Sequence, residues 1–232
     1  MAKVLTPESI GLDAAQYAAA LTYLFDRPMP ESKGWYHDIG SEIPDFPATP
    51  LEWTRIQTIL FANAGNDLAR YDNDQVGFGL SCLMENTTKA PYAVLDASVP
   101  VEEAMVMMQA MPALWRECIG PRLASIHAPI GSNAGGHLGY VCYMWFDVWP
   151  TFWNVRHLDC WRDAMWHVFA EMLKVPCREV QIAALHGIGH NLDELQRPAV
   201  INQAIDAFLA HLNPVDIELR EYAGRARQGY VQ

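Results

Sequence analysis

The feature that most constrains this chain is the regular punctuation of its last third. Four apolar runs, Leu158–Leu173, Cys177–His190, Pro198–Leu212 and Val215–Arg227, follow one another with short turns between them. Within each run the apolar residues recur every three or four positions, the period of one helix face. The pattern is helical upstream as well. "TPESIGLDAAQYAAALTYLFD" opens on Thr6 as a cap with Pro7 in its first turn, and its apolar positions again keep helical spacing. "PLEWTRIQTILFANAGNDLARY", "DNDQVGFGLSCLMEN" and "PVEEAMVMMQAMPALWREC" read as three further helices, the second capped by Asn73 or Asp74 and the third open to a break at Pro112. No run alternates with period two between hairpin turns, so the expected fold class is all-α, a single helical domain over residues 1–232.

Residues 27–50 interrupt the pattern. Five of the fifteen prolines lie there, which excludes a helix interior and leaves a long loop. "SKGWYHDIG" within it carries Trp35, Tyr36, His37 and Asp38; aromatic anchors pinning a surface cover explain it more simply than a functional loop.

Two segments align with each other at an offset of 39 residues. In "REVQIAALHGIGH" and "IELREYAGRARQG", Val180 falls on Leu219 and Ala184 on Ala223, and each segment follows a longer apolar helix and a Pro-containing turn. A helix-pair period near 40 is the mark of a solenoid. "VQIAALHGIG" resembles the second helix of a HEAT-type repeat, V-x-x-A-A-L-x-x-L-G, through Val180, Ala183, Ala184, Leu185, Ile188 and Gly189. The resemblance is clearest over 158–229 and implies a HEAT-like α-α superhelix of antiparallel helix pairs. The combination of "YDNDQVGFGL", "YVCYMWFDVWP" and "AALHGIGH" is also similar to a group of bacterial proteins to which no activity attaches.

The net charge is −11, with seven basic against sixteen acidic residues up to position 120 and nine against eleven after it. Such a surface repels phosphate backbones and anionic membranes, so neither nucleic acid nor a membrane is an expected partner. Arg220, Arg225 and Arg227 are the only local basic group and read as a solvated helix end. The five cysteines, Cys82, Cys118, Cys142, Cys160 and Cys177, include no CxxC pair and are expected as reduced, mostly buried thiols of a cytoplasmic protein. The N-terminus shows no apolar leader, and the most apolar window, Leu138–Trp153, is too short to span a bilayer and is interrupted by Asp147 and Pro150.

His186 and His190 stand four apart, the spacing by which a helix presents two metal ligands. The zinc-protease motif needs a glutamate beside the first histidine, and Gly187 is there instead. No third ligand is locatable; His157, His167 and His211 are candidates only through their place in the repeat. No metal and no other cofactor is therefore expected. The HEAT-like register implies that both histidines are at least partly exposed on the concave face. Gly187 and Gly189 suggest close packing against a neighbouring backbone, since each costs about 1 kcal/mol against alanine in a helix.

Asp147 lies in the aromatic run "YMWFDVWP". A carboxylate so placed would serve as a general acid or base, or more simply bond an arginine or a helix N-terminus. Trp145, Trp149 and Trp153 recur every four residues on one drifting face, a core stripe unless exposed, in which case a partner hot spot. "GSNAGGHLG" lacks the GK[ST] ending of a phosphate loop, Ser132 lacks a nucleophile elbow, and "YDNDQ" lacks the rest of a calcium loop.

No complete catalytic set results. The leading expectation is a non-enzymatic helical repeat protein that binds a protein partner. Its expected surface lies around His186, His190, Asp147, Trp149 and Trp145. The alternatives are an enzyme with a pocket around Asp147, His186 and His190, or a HEAT-like nucleic-acid-binding protein of the glycosylase kind, against which the acidic charge speaks.

Overall fold

The computed structural model describes residues 5–27, 45–86, 88–132 and 134–231, and among these every regular element is helical. Most of the Pro-rich loop, with Trp35, Tyr36, His37 and Asp38, lies outside the described residues.

The helices begin where local chemistry supplies a cap. Thr6 precedes only a short 3-10 turn, Pro7–Ile10, and gives it no side-chain bond. Gly11 then takes a left-handed backbone (φ 72°), the chain turns, and the helix proper, α1 (Ala14–Phe25), is capped by Asp13 onto the Gln16 N–H. The expected single helix is thus two pieces. The next helix, α2 (Pro50–Asp67), starts on a reciprocal capping box between Thr49 and Glu52. The cap of α3 (Asn73–Met84) is Asp72, not Asn73 or Asp74, because Gln75 stands three residues on and closes the box with Asp72. Pro112 does not break α4 (Val101–Ala113). The strain is taken up just beyond it, where the chain widens into a π-helical turn, Leu114–Ile119, leading to the short α5 (Gly120–Leu123).

After the Gly-rich loop, α6 (Gly136–Val148) ends at Trp149, and Pro150 restarts the chain as α7 (Pro150–Val155). The tryptophan stripe is therefore split between two helices. The remainder follows the expected rhythm: α8 (Asp159–Met172), α9 (Arg178–His190), the short α10 (Leu192–Leu195), α11 (Pro198–His211) and α12 (Ile217–Ala226).

Two rows of helices meet at α9. In one row α1 packs on α3, α3 on α6 and α6 on α9; in the other α2 packs on α4, α4 on α8 and α8 on α9, while α12 closes over α9. The core between them is aromatic. Trp115 meets Trp145 edge-on with ring centroids 5.8 Å apart, Trp145 approaches Trp149 at 6.2 Å, and Phe146 meets Phe169 at 4.6 Å. Such geometry is favourable beyond the burial itself. Trp145 and Trp149 are each 0% exposed. They belong to this core and not to a binding surface, a correction that follows from their being flanked by Phe61, Trp115 and α9. Trp153, on α7, is 45% exposed.

Val180, Ala184, Leu185 and Ile188 are all buried, as are their offset partners Leu219 and Ala223. Among the described residues no helix is long and apolar enough to cross a membrane. All five cysteines are free thiols, four of them buried and Cys160 exposed.

Candidate functional site

Two pairs of residues spaced i, i+4 face each other across the α6–α9 seam. On α6 they are Tyr143 and Asp147; on α9 they are His186 and His190. The aromatic face of α6 goes inward through Leu138, Val141, Cys142, Trp145 and Phe146, which leaves Tyr143 and Asp147 on the flank toward α9. The small residues of α9 bring its backbone close. A Cβ on Gly187 would lie 2.5 Å from the Phe169 ring and 3.1 Å from that of Phe146. At Gly189 it would lie 2.5 Å from the Val231 side chain. Both glycines make room for side chains, not for the neighbouring backbone expected from the sequence.

The polar atoms converge. His186 Nε2 is 2.7 Å from Asp147 Oδ2, and His190 Nε2 is 3.8 Å from the same oxygen. On its other side, His186 Nδ1 is 2.7 Å from the Tyr222 hydroxyl, and that hydroxyl is 3.3 Å from the hydroxyl of Tyr143. The Tyr143 ring stacks on His186 at 4.1 Å. A carboxylate only accepts, so Nε2 of His186 carries the proton and donates it to Asp147. A neutral ring then leaves Nδ1 to accept from Tyr222. Tyr222 stays protonated, chiefly because burial raises its pKa well above the usual tyrosine value, and the charge of Asp147 adds to this.

His186 is 2% exposed. The expectation that it lies open to solvent fails because α12 lays Tyr222 over the polar position and Tyr143 covers the ring. His190, the last residue of α9, is open, with 39% of its side chain exposed, and Asp147 is intermediate at 19%. Among the described residues Asp147 bonds neither an arginine nor a helix terminus; its own carbonyl accepts from the exposed Trp153 indole at 2.7 Å, and Arg156 lies 3.9 Å over that ring. One atom is left over. Oδ1 of Asp147 is buried and has no hydrogen-bond partner among the described residues. An unpaired buried anionic oxygen is costly.

The side chains of Asp147, His186 and His190 each offer a ligand atom, and these lie within 4.8 Å of one another. Among the described residues they are the one group of three with metal-ligand geometry. Ligands at about 2.0–2.2 Å from zinc stand roughly 3–3.5 Å apart around it, so the observed separations need only small side-chain movement. The sequence offered His157, His167 and His211 as third ligands; the fold supplies Asp147 instead. The signal that would have found it was present. Asp147 is the one acidic residue of α6, and it stands at the same helical spacing from Tyr143 as His190 from His186.

A second polar pair lies elsewhere. His137 on α6 stacks on Phe78 at 4.0 Å and is 2.9 Å from the Ser81 hydroxyl. Burial drives its pKa down to about 4, so it is neutral around pH 7. Ser81 is buried within α3 and its hydroxyl also donates to the Gly77 carbonyl, which suits a packing contact between α3 and α6.

No family model matches the chain, and no curated protein or solved structure matches it either.

Proposed function

We propose that the protein is a metal-binding helical protein that holds a divalent transition metal of the zinc class between Asp147, His186 and His190. One observation carries the reading: a carboxylate oxygen faces two imidazoles within 4.8 Å, while its sister oxygen is buried and unpaired among the described residues. A purely structural cluster leaves that oxygen without compensation; a cation beside it relieves the cost. Two nitrogens and one carboxylate oxygen suit zinc, iron(II), cobalt or nickel better than calcium or magnesium. Three protein ligands leave a coordination position free. The exposed side of His190 turns that position toward solvent, where water or a substrate would bind. A site that only braces the fold is ordinarily closed by four protein ligands.

The test is a titration of metal-free protein with zinc. One equivalent binds, and at a free concentration 100-fold above Kd the fold gains about 2.7 kcal/mol, read as a rise in melting temperature. His190→Ala abolishes the rise, and because His190 is at the open edge the apoprotein melts as the parent does. Absence of stoichiometric zinc binding by the unaltered protein sinks the proposal.

The scaffold we infer is a pair of stacked helix pairs, α8/α9 and α11/α12, in HEAT-like fashion, supported by the equal burial of Val180 with Leu219 and Ala184 with Ala223 at one offset. Partner binding is a second reading, favoured by one observation. Val215, in the turn before α12, is 82% exposed and Ile217, the first residue of α12, is 64% exposed. Such exposure marks contact surfaces. Val215→Asp with Ile217→Asp removes cross-linked partners from a pull-down without altering the melting temperature; unchanged capture rejects this surface.

A further inference from the structure

Resting on the proposed metal site, we infer that Tyr222 is its positioning residue: its hydroxyl fixes the His186 ring and accepts a hydrogen bond from Nδ1–H when metal takes Nε2.

The geometry requires an exchange. Without metal, the Nε2 proton points at Asp147 and Nδ1 accepts from Tyr222. A metal ion takes the Nε2 lone pair, so that nitrogen must lose its proton, which passes to solvent. The ring remains a neutral ligand only if Nδ1 gains a proton in turn, taken from solvent. One proton leaves the ring and one enters it, so the charge balances. Among the described residues the acceptor within reach of the new Nδ1–H is the Tyr222 oxygen at 2.7 Å. Tyr222 must then turn its own hydrogen away, and the Tyr143 oxygen at 3.3 Å is placed to accept it. The chain His186–Tyr222–Tyr143 reverses its direction on loading. Metal-bound histidines ordinarily donate their second N–H in this way, which fixes the tautomer and aims the ring.

The arrangement is built rather than incidental. Tyr222 is 1% exposed and comes from α12, whereas the ligands come from α6 and α9. Three separate helices therefore converge on one imidazole. Tyr143 is both the second link in the chain and the ring stacked on His186.

Zinc is the probe, with purified full-length protein. Tyr222→Phe keeps the ring volume and removes only the hydroxyl. Its zinc Kd is expected to rise about 10–100-fold, the usual cost of losing an outer-shell partner. Tyr143→Phe, one link further out, raises it less. The second readout is the tyrosine ultraviolet difference spectrum on zinc addition, present in the unaltered protein and lost in Tyr222→Phe. A role in packing alone would leave zinc affinity per folded molecule and this spectrum unmoved. Equal zinc affinity in parent and Tyr222→Phe overturns the positioning role while leaving the metal site standing. Failure of the parent itself to bind zinc overturns both. Should Tyr222→Phe lose its helical signal, the parent's difference spectrum decides, and its absence on loading rejects the inference.

Discussion

Leu185→Ala is expected to cost the fold about 2–5 kcal/mol, measured as a lower urea midpoint at unchanged slope. Leu185 is 0% exposed, midway along α9. That helix is held by α6 on one side, α8 on another and α12 over a third. A cavity opened there has little freedom to collapse, because each wall is itself anchored to a different part of the core. The cost therefore belongs in the upper part of the range for a leucine truncation. The flanking alanines, Ala183 and Ala184, sharpen the argument. They let the neighbouring helices approach so closely that the larger side chains at Val180, Leu185 and Ile188 fill what space remains. A loss below about 1 kcal/mol would mean that α9 is loosely packed, and the rigidity claimed for His186 would go with it.

The helices were legible because their information is local. Apolar spacing, Pro punctuation and the Thr49–Glu52 box each act over a few residues, and each puts an element where the sequence indicates. Errors arose where two local signals competed. Thr6 reads as the cap, but Gly11 takes a left-handed turn and the helix proper starts from Asp13, which the apolar spacing alone does not single out. The site was half legible for the opposite reason. The spacing of His186 and His190 is visible on one helix, but their partner Asp147 stands 39 residues earlier on another. Which face of α6 meets which face of α9 is set by packing, through the Gly187–Phe169 contact among others, and no local rule reports that. The same holds for Trp145 and Trp149. Their spacing announces a stripe on a helix, yet whether a stripe faces core or solvent depends on neighbours supplied by α2, α9 and the π-helical turn.

Asp147→Asn separates the function of the cluster from its contribution to the fold. The amide has the carboxylate's shape, and its oxygen still accepts from His186 Nε2, so the hydrogen bond at 2.7 Å survives. What disappears is the negative charge; the amide nitrogen takes the place of Oδ1, which has no hydrogen-bond partner among the described residues, and a neutral group there costs less than an anionic one. Without metal the variant is therefore expected to be about as stable as the parent, since the charge lost sits on a partly buried carboxylate with only one of its oxygens paired among the described residues. Zinc binding moves the other way. The carboxylate is the one anionic ligand of the three, and its loss should weaken binding by more than the ~10–100-fold associated with outer-shell partners. The expected signature is an apoprotein that melts no lower than the parent and a zinc-induced rise in melting temperature that is gone. The opposite pattern is as informative. A variant that is destabilised by more than about 2 kcal/mol, comparable to breaking a buried network, and binds zinc like the parent would make Asp147 a packing residue. The residue thus carries the cost of the site in the empty protein and its affinity in the loaded one, the trade of stability for activity expected where a fold supports a function.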